Sequence, residues 1–381
     1  MKKINIGIFT TARSEFGILL PLLKRFKKNK KFRSKLFVGG THYLKSFGKT
    51  VNEINLNKIN INGKFNFEKK SSTSFNTSIN LSKSTFKIGK IFNNSNLDYT
   101  CLVGDRFELI PIVTNSIINK IPIIHIGGGE TTLGAIDNQV RNMISKASYL
   151  HFTSSKTYSK KLVEMGENSK NIFNTGSLAI DNIKNLKKIS KKEIFKKLKL
   201  DINKKTILLT YHPETLQSNF TSSHILKNLF KALNHYDFQT VITSPGYDLG
   251  NEEIKKNIFK KIKEKINYFY FDSLGFANYH NILPHCEFII GNSSSGIIEV
   301  PFHKVPTINI GSRQKGRLRH KSIIDVGYSF LEIKKAIDKT TNKRFRKKLS
   351  KMKYKFGNGD SCKKIEKIIL KKHRLNKGNV K

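Results

Sequence analysis

Residues 122–141 read PIIHIGGGETTLGAIDNQVR, and the fold follows from how this stretch is taken. Residues 122–126 are an apolar run suited to a buried strand. Gly127, Gly128 and Gly129 then let the backbone take positive φ and approach a ligand closely. Glu130 follows, and a helix opens near Asp137. Asp137 and Arg141 stand four apart and share one helical face, and Asp137 is favoured by the dipole of the first turn. A carboxylate in the loop and an acid–arginine pair on the next helix thus gather at the carboxyl end of a strand, where open α/β sheets bind ligands. On this stretch alone, a ligand loop and an ordinary tight turn before an amphipathic helix fit equally well.

Outward from it, strand and helix alternate. Residues 4–9 and 99–103 are β-branched or apolar runs that end in TTARSEFG and GDR, and residues 35–38 form a short strand before Gly39 and Gly40. Ile18, Leu19, Leu22, Leu23 and Phe26 recur at helical spacing. Strands from Tyr149 and at NIFNTG close the first half, while residues 43–80 are polar, Asn-rich and give no clear assignment. A lysine-rich helical connection over 183–204 leads to a second half with the same grammar. Its strands at 206–211, 240–243, 268–271, 288–290 and 307–310 end in HPET, SPG, a helix over 274–283, GNSSSG and GSRQKGR. Helices near 331–351 and 364–371 finish the chain. This is α/β organisation with two Rossmann-like, doubly wound domains and a cleft between them. The expected domains are 1–180 and 181–359, the second binding nucleotide, with a C-terminal helix over about 360–381 packing back on the first.

Composition narrows the function. At 381 residues the chain is long enough for two cores. No run approaches the ~18 apolar residues of a membrane span. The three cysteines, Cys101, Cys286 and Cys362, have neither disulfide-framework nor metal-ligand spacing, which fits a reducing cytoplasm. The net charge of +44 is carried mostly by lysines scattered over solvated helix faces. A nucleic-acid reader concentrates charge on one face and interleaves aromatics. Specific nucleic-acid binding is therefore not expected, although steering of anionic substrates is. No GxGxxG follows the first strand, so no dinucleotide site is expected.

Taken together, TTARSEFG, LVGDRFE, HIGGGE with GAIDNQVRN, HFTSS, NTGSLAIDNI, HPET, GNSSSGIIEVP and NIGSRQKGR resemble, in order over most of residues 1–320, the hydrolysing UDP-N-acetylglucosamine 2-epimerases of sialic-acid and related pathways. The resemblance implies two lobes of the glycosyltransferase-B type, a homo-oligomer (dimer or tetramer), a nucleotide-sugar substrate, and neither nicotinamide nor an obligatory metal. It also implies elimination of UDP through 2-acetamidoglucal, followed by water addition to give N-acetylmannosamine. That chemistry requires carboxylates for proton transfer and cationic or N–H donors for the departing diphosphate. By position, Asp105, Glu130, Asp137, Arg141 and His212 fall in the catalytic set. Arg13, Ser293, Ser294, Ser295, Gly296, Glu299 and Arg313 fall to substrate, with backbone N–H groups at a helix start for phosphate and the arginines as clamps. Each has an ordinary alternative: a helix cap for Asp105 and the serines, a packing role for His212, a dipole role for Glu299, and solvation for the arginines. Several relatives carry an acid where this chain has Gly127, so proton transfer leans on Glu130, Asp137 and Asp105. Other enzyme readings are the same reaction on a UDP- or GDP-linked 2,4-diacetamido-trideoxy sugar, a non-hydrolysing epimerase, and a glycosyltransferase of the same fold. A basic polyanion-binding protein is the reading from another class.

Overall fold

The computed structural model describes residues 3–45, 48–66, 73–133, 135–214, 221–245, 250–263 and 265–378. The chain divides into two units. Met1–Glu130, Asp137–Asn185 and Phe356–Lys381 form the first, and Thr131–Ile136 with Leu186–Lys355 form the second.

The first unit is built on β1 (Ile4–Thr10), β2 (Phe32–Gly40), β3 (Ile61–Asn66), β4 (Tyr99–Val103), β5 (Ile123–Ile126), β6 (Leu150–Thr153) and β7 (Ile172–Asn174). They form one sheet in the order β3-β2-β1-β4-β5-β6-β7, every pair parallel. Alternation along β1 feeds two cores, as a sheet covered on both faces requires. Ile4, Ile6 and Ile8 pack with Leu19, Leu23 and Phe26 of the helix Arg13–Lys28, whereas Phe9 packs with Phe37, Leu102 and Ile112 on the other face. Each such side chain, fully buried, contributes ~1.5–3 kcal/mol relative to exposure. The terminal helix Ser361–Gly378 adds Ile365 and Ile369 to the first core. Its Glu366 accepts from Arg25 Nε at 2.6 Å and Asn29 Nδ2 at 2.8 Å.

The second unit repeats the plan with β8 (Thr206–Thr210), β9 (Gln239–Thr243), β10 (Tyr268–Phe271), β11 (Cys286–Gly291), β12 (Thr307–Ile310) and β13 (Ile323–Val326). These run β10-β9-β8-β11-β12-β13, again all parallel. Ile207 and Leu209 enter one core and Leu208 the other. Strand order reverses at β1/β4 in the first unit and at β8/β11 in the second, and the carboxyl ends beside such a reversal are where open sheets bind ligands. The segments leaving those ends carry Thr11, Ala12 and Arg13, then Gly104 and Asp105; in the second unit they carry Tyr211 and His212, then Asn292 and Ser293.

Two parallel α/β units are what the sequence led us to expect, but several local elements differ. The unassigned stretch 43–80 holds the helix Val51–Leu56, β3 and the start of the helix Ser74–Asn93. The strand β13 was not read from the sequence, and the 183–204 connection holds the end of one helix, Leu178–Lys184, and another, Lys191–Lys197. Gly134, Thr215 of HPET and Gly246 of SPG lie outside the described residues.

Candidate active site

In the first unit three strand ends build one polar cluster. After β5, Gly127 and Gly129 take φ of 89° and 76°, a left-handed backbone that only glycine adopts without strain. A Cβ on Gly129 would fall on the carbonyl of Tyr158, so this turn is pressed against the helix Lys156–Glu164 that follows β6. The turn delivers Glu130, which is 7% exposed and accepts a hydrogen bond from Ser154 Oγ at 3.1 Å. Arg141, on the helix Asp137–Lys146, is 1% exposed and donates to the Glu130 carbonyl at 2.8 Å. Its other guanidinium nitrogen pairs with the Asp105 carboxylate at the end of β4. Asp105, Glu130 and Arg141 are therefore brought together. Asp137 opens the same helix one turn before Arg141 and is partly exposed.

His125 stitches this cluster to the sheet. It is fully buried, and its Nε2 donates to the Gly104 carbonyl at 2.8 Å, leaving Nδ1 to accept from Ser145 Oγ at 3.1 Å. Burial lowers its pKa to about 4, so the ring is neutral and structural.

The turn after β1 carries Arg13 at the start of its helix, and the sequence reading missed what holds it. Glu15 is 4% exposed and accepts from Thr11 N at 2.5 Å, Ala12 N at 3.2 Å and Thr11 Oγ1 at 2.9 Å. Burial raises its carboxyl from 4.5 to about 7, with the Thr11 N–H opposing and nearby Glu108 adding to the rise. His42 backs the same turn through Thr10 Oγ1 at 3.0 Å and Thr50 Oγ1 at 2.9 Å, and burial pushes its pKa down to about 3. Buried Glu108 pairs with Arg106 at 2.9 Å. A glutamate three residues into a helix is the visible half of a capping box, and that signal was available in TTARSE.

In the second unit Asn292, fully buried, is the hub. It exchanges two hydrogen bonds with the His212 backbone, at 2.7 and 2.9 Å, and so ties the end of β8 to the end of β11. Its carbonyl accepts from Arg313 Nη1 at 3.3 Å and Gln314 Nε2 at 2.9 Å. Ser293 caps the short helix Ser294–Ile298 by accepting from Ser295 N at 3.4 Å, and Ser295 Oγ meets the Tyr279 hydroxyl. Gly296 is required by packing, because a Cβ there would lie 2.8 Å from the Thr307 methyl. Glu299 has its carboxylate 3.8 Å from His280 Nε2. Burial keeps His280 neutral, and its Nδ1 shares a hydrogen bond with His303 Nε2 at 3.1 Å, so the Glu299 contact is polar rather than ionic. The structure thus gathers His212, Ser293 and Arg313 around Asn292, and sets Glu299 at the far end of the short helix, against His280.

Glu214 was also missed. It accepts from Tyr211 Oη at 3.3 Å, Tyr328 Oη at 2.9 Å, Ser312 Oγ at 3.0 Å and Ser312 N at 3.2 Å. Burial raises both tyrosines, Tyr328 to about 12, so both hydroxyls keep their protons and donate. Among the described residues, no group of three or more His, Cys, Asp or Glu is placed to hold a metal. No described helix is long and apolar enough to cross a membrane.

Known proteins are similar to this chain in sequence and in fold. The sequence pattern of the UDP-N-acetylglucosamine 2-epimerase family matches residues 24–370. A GDP/UDP-N,N'-diacetylbacillosamine 2-epimerase (hydrolyzing) of Campylobacter jejuni is 36% identical over 351 residues, covering 91% of this chain and 90% of that protein. Polysialic acid biosynthesis protein P7 of Escherichia coli is 33% identical over 91% of this chain and 88% of its own. A UDP-GlcNAc 2-epimerase of Neisseria meningitidis, solved bound to UDP-GlcNAc, superposes with a TM-score of 0.81 at 18% identity, covering 97% of this chain and 100% of that one.

Proposed function

The chain belongs to the UDP-N-acetylglucosamine 2-epimerase family, and within it we propose a hydrolysing 2-epimerase of a nucleoside-diphosphate-linked 2-acetamido sugar. One observation carries the reaction class: at the carboxyl ends of β4 and β5 a buried arginine holds the Asp105 carboxylate and the backbone carbonyl of Glu130, whose own carboxylate is buried beside them. Inverting carbon 2 without a hydride acceptor requires removal of its proton. In the proposed route a carboxylate takes that proton as the bond from carbon 1 to the diphosphate oxygen breaks. The nucleoside diphosphate leaves and a 1,2-unsaturated sugar forms. Water then adds its hydroxyl to carbon 1, and a proton returns to carbon 2 on the opposite face.

Glu130, Asp137 and Asp105 are the candidates for the proton work. Arg141 sets the Glu130 backbone and the Asp105 carboxylate, and His212 faces the sugar–diphosphate. In the second unit the 293–296 segment and Arg313 take the diphosphate, and Glu299 the ribose; in the first unit Arg13 is the candidate substrate-binding cation. A nucleotide-sugar ligand draws support from the Neisseria meningitidis enzyme of the same fold, which was solved bound to UDP-GlcNAc.

For the sugar, the reading we favour is the 2,4-diacetamido-trideoxy class, on the strength of the Campylobacter jejuni relative's identity over nine-tenths of both chains. The second reading is UDP-N-acetylglucosamine giving N-acetylmannosamine, favoured by the UDP-N-acetylglucosamine 2-epimerase description of the family pattern that matches residues 24–370. The test is incubation in deuterated water, without added nicotinamide, with UDP- and GDP-linked forms of both sugars, and mass spectrometry of the products. Free nucleotide with a free sugar deuterated at carbon 2 is expected. An epimerised but still nucleotide-linked sugar, or free sugar retaining its original hydrogen, refutes the reaction.

A further inference from the structure

The carboxylate of Glu214 meets donors from three separate segments of the second unit. Tyr211 follows β8, Ser312 follows β12 and Tyr328 follows β13. Ser312 contributes both its backbone N–H and its hydroxyl, so the turn 311–314 is gripped at its main chain. Gly311 confirms how close the grip is. Its φ is 78°, and a Cβ there would fall on Glu214 Oε1 and the Tyr328 ring. The next two residues are Arg313 and Gln314, both reaching the Asn292 carbonyl. A side chain accepting donors from three segments at once is an anchor, because each bond ties one of those segments to the same point.

We infer that Glu214 is a positioning residue for nucleotide binding, fixing the turn 311–314 so that Arg313 is presented to the diphosphate beside Asn292. It acts through that turn and does not touch the ligand. The inference deepens the nucleotide-binding reading above and rests on it.

The test measures UDP and GDP affinity by titration calorimetry for the wild type, Glu214→Ala, Glu214→Gln, Tyr328→Phe, Arg313→Ala and the double variants with Arg313→Ala. Glutamine keeps one acceptor oxygen for Ser312 and Tyr328, and its amide can donate to the Tyr211 hydroxyl. Glu214→Gln should therefore bind within about 3-fold of wild type, while Glu214→Ala weakens binding at least about 10-fold. Tyr328→Phe removes one donor and keeps the ring, so it reports the same effect at smaller size should Glu214→Ala not fold. In the Arg313→Ala background both effects should vanish, because the residue they act through is gone. Losses that multiply in the double variants overturn the inference, as does wild-type affinity in Glu214→Ala. Glu214→Gln as damaging as alanine also overturns it, since glutamine keeps the acceptor for Ser312 and Tyr328 and should still hold the turn. A wild type that binds neither nucleotide refutes the functional reading itself, and this inference with it.

Discussion

Replacing Glu15 by glutamine should make the protein more stable, and only above acid pH. The carboxyl is 4% exposed, and burial raises it from 4.5 to about 7. At ~1.4 kcal/mol per pH unit, that preference for the protonated form amounts to about 3 kcal/mol. Below pH 4.5 Glu15 is protonated both folded and unfolded, and the stability its proton confers is fully present. Between 4.5 and about 7 the folded protein keeps a proton that the unfolded chain has released, so stability falls as pH rises. Above about 7 the loss is complete. Glutamine preserves the shape, with its carbonyl at Oε2 for Thr11 N and Ala12 N and its amide toward Thr11 Oγ1. Urea unfolding of the two proteins at pH 5, 6, 7 and 8 is the assay. The glutamine variant should exceed the wild type by only about 1 kcal/mol at pH 5 and by about 3 kcal/mol at pH 8. A difference that stays flat refutes the reasoning. A difference of opposite sign would show that the Thr11 and Ala12 donors outweigh burial and hold Glu15 as a carboxylate.

Two further outcomes bear on the proton-transfer cluster. Glu130→Gln and Asp137→Asn should each lose at least ~10²-fold in kcat while retaining UDP affinity; near-normal turnover in both would remove them from the proton work. Asp105→Asn leaves Arg141, 1% exposed, without its carboxylate. Because Asp105 itself is 18% exposed, the stability loss measured by urea unfolding should sit toward the lower end of the ~3–5 kcal/mol for breaking a buried pair, and a loss near zero would show that the pair is solvated.

The central strands were legible because they are buried on both faces. The β-branched and apolar run of β1, and likewise β4, ends at a glycine or polar turn, and no helix periodicity competes with it. Two edge strands, β3 and β13, escaped, whereas the edge strands β7 and β10 were read. In β3 only Ile61 and Phe65 are large and apolar, and β13 carries Asp325, which accepts from Asn309 Nδ2 at 2.7 Å. The acids and arginines of the candidate site stood out by motif, Asp105, Glu130 and Arg313 just past a legible strand and Asp137 and Arg141 on a readable helix. Their supports did not, because a hydrogen-bond partner is fixed by the folded geometry. Asn292 meets His212 across 80 residues, and Glu214 meets Ser312 across 98. Glu15 and Thr11 are the exception, four apart and readable as a cap.

Those missed residues explain how a loop arginine comes to have a fixed place. Arg13 and Arg313 both lie on turns just past a strand, where a long side chain on a free backbone would lose conformational entropy on every binding event. In each unit a carboxylate removes that freedom from the backbone beforehand. Glu15 accepts from the N–H groups of Thr11 and Ala12, immediately before Arg13, and Glu214 accepts from the N–H of Ser312, immediately before Arg313. The two anchors differ in what holds them. Glu15 is sealed in a buried turn with no cation among its direct hydrogen-bond partners, and its carboxyl rises to about 7. Glu214 is surrounded by two tyrosine hydroxyls and a serine that donate to it. The grip on Arg13 should therefore change with pH near neutrality, through the protonation of Glu15 itself. A pH dependence of nucleotide affinity that survives in Arg313→Ala and disappears in Glu15→Gln is the signature of that difference.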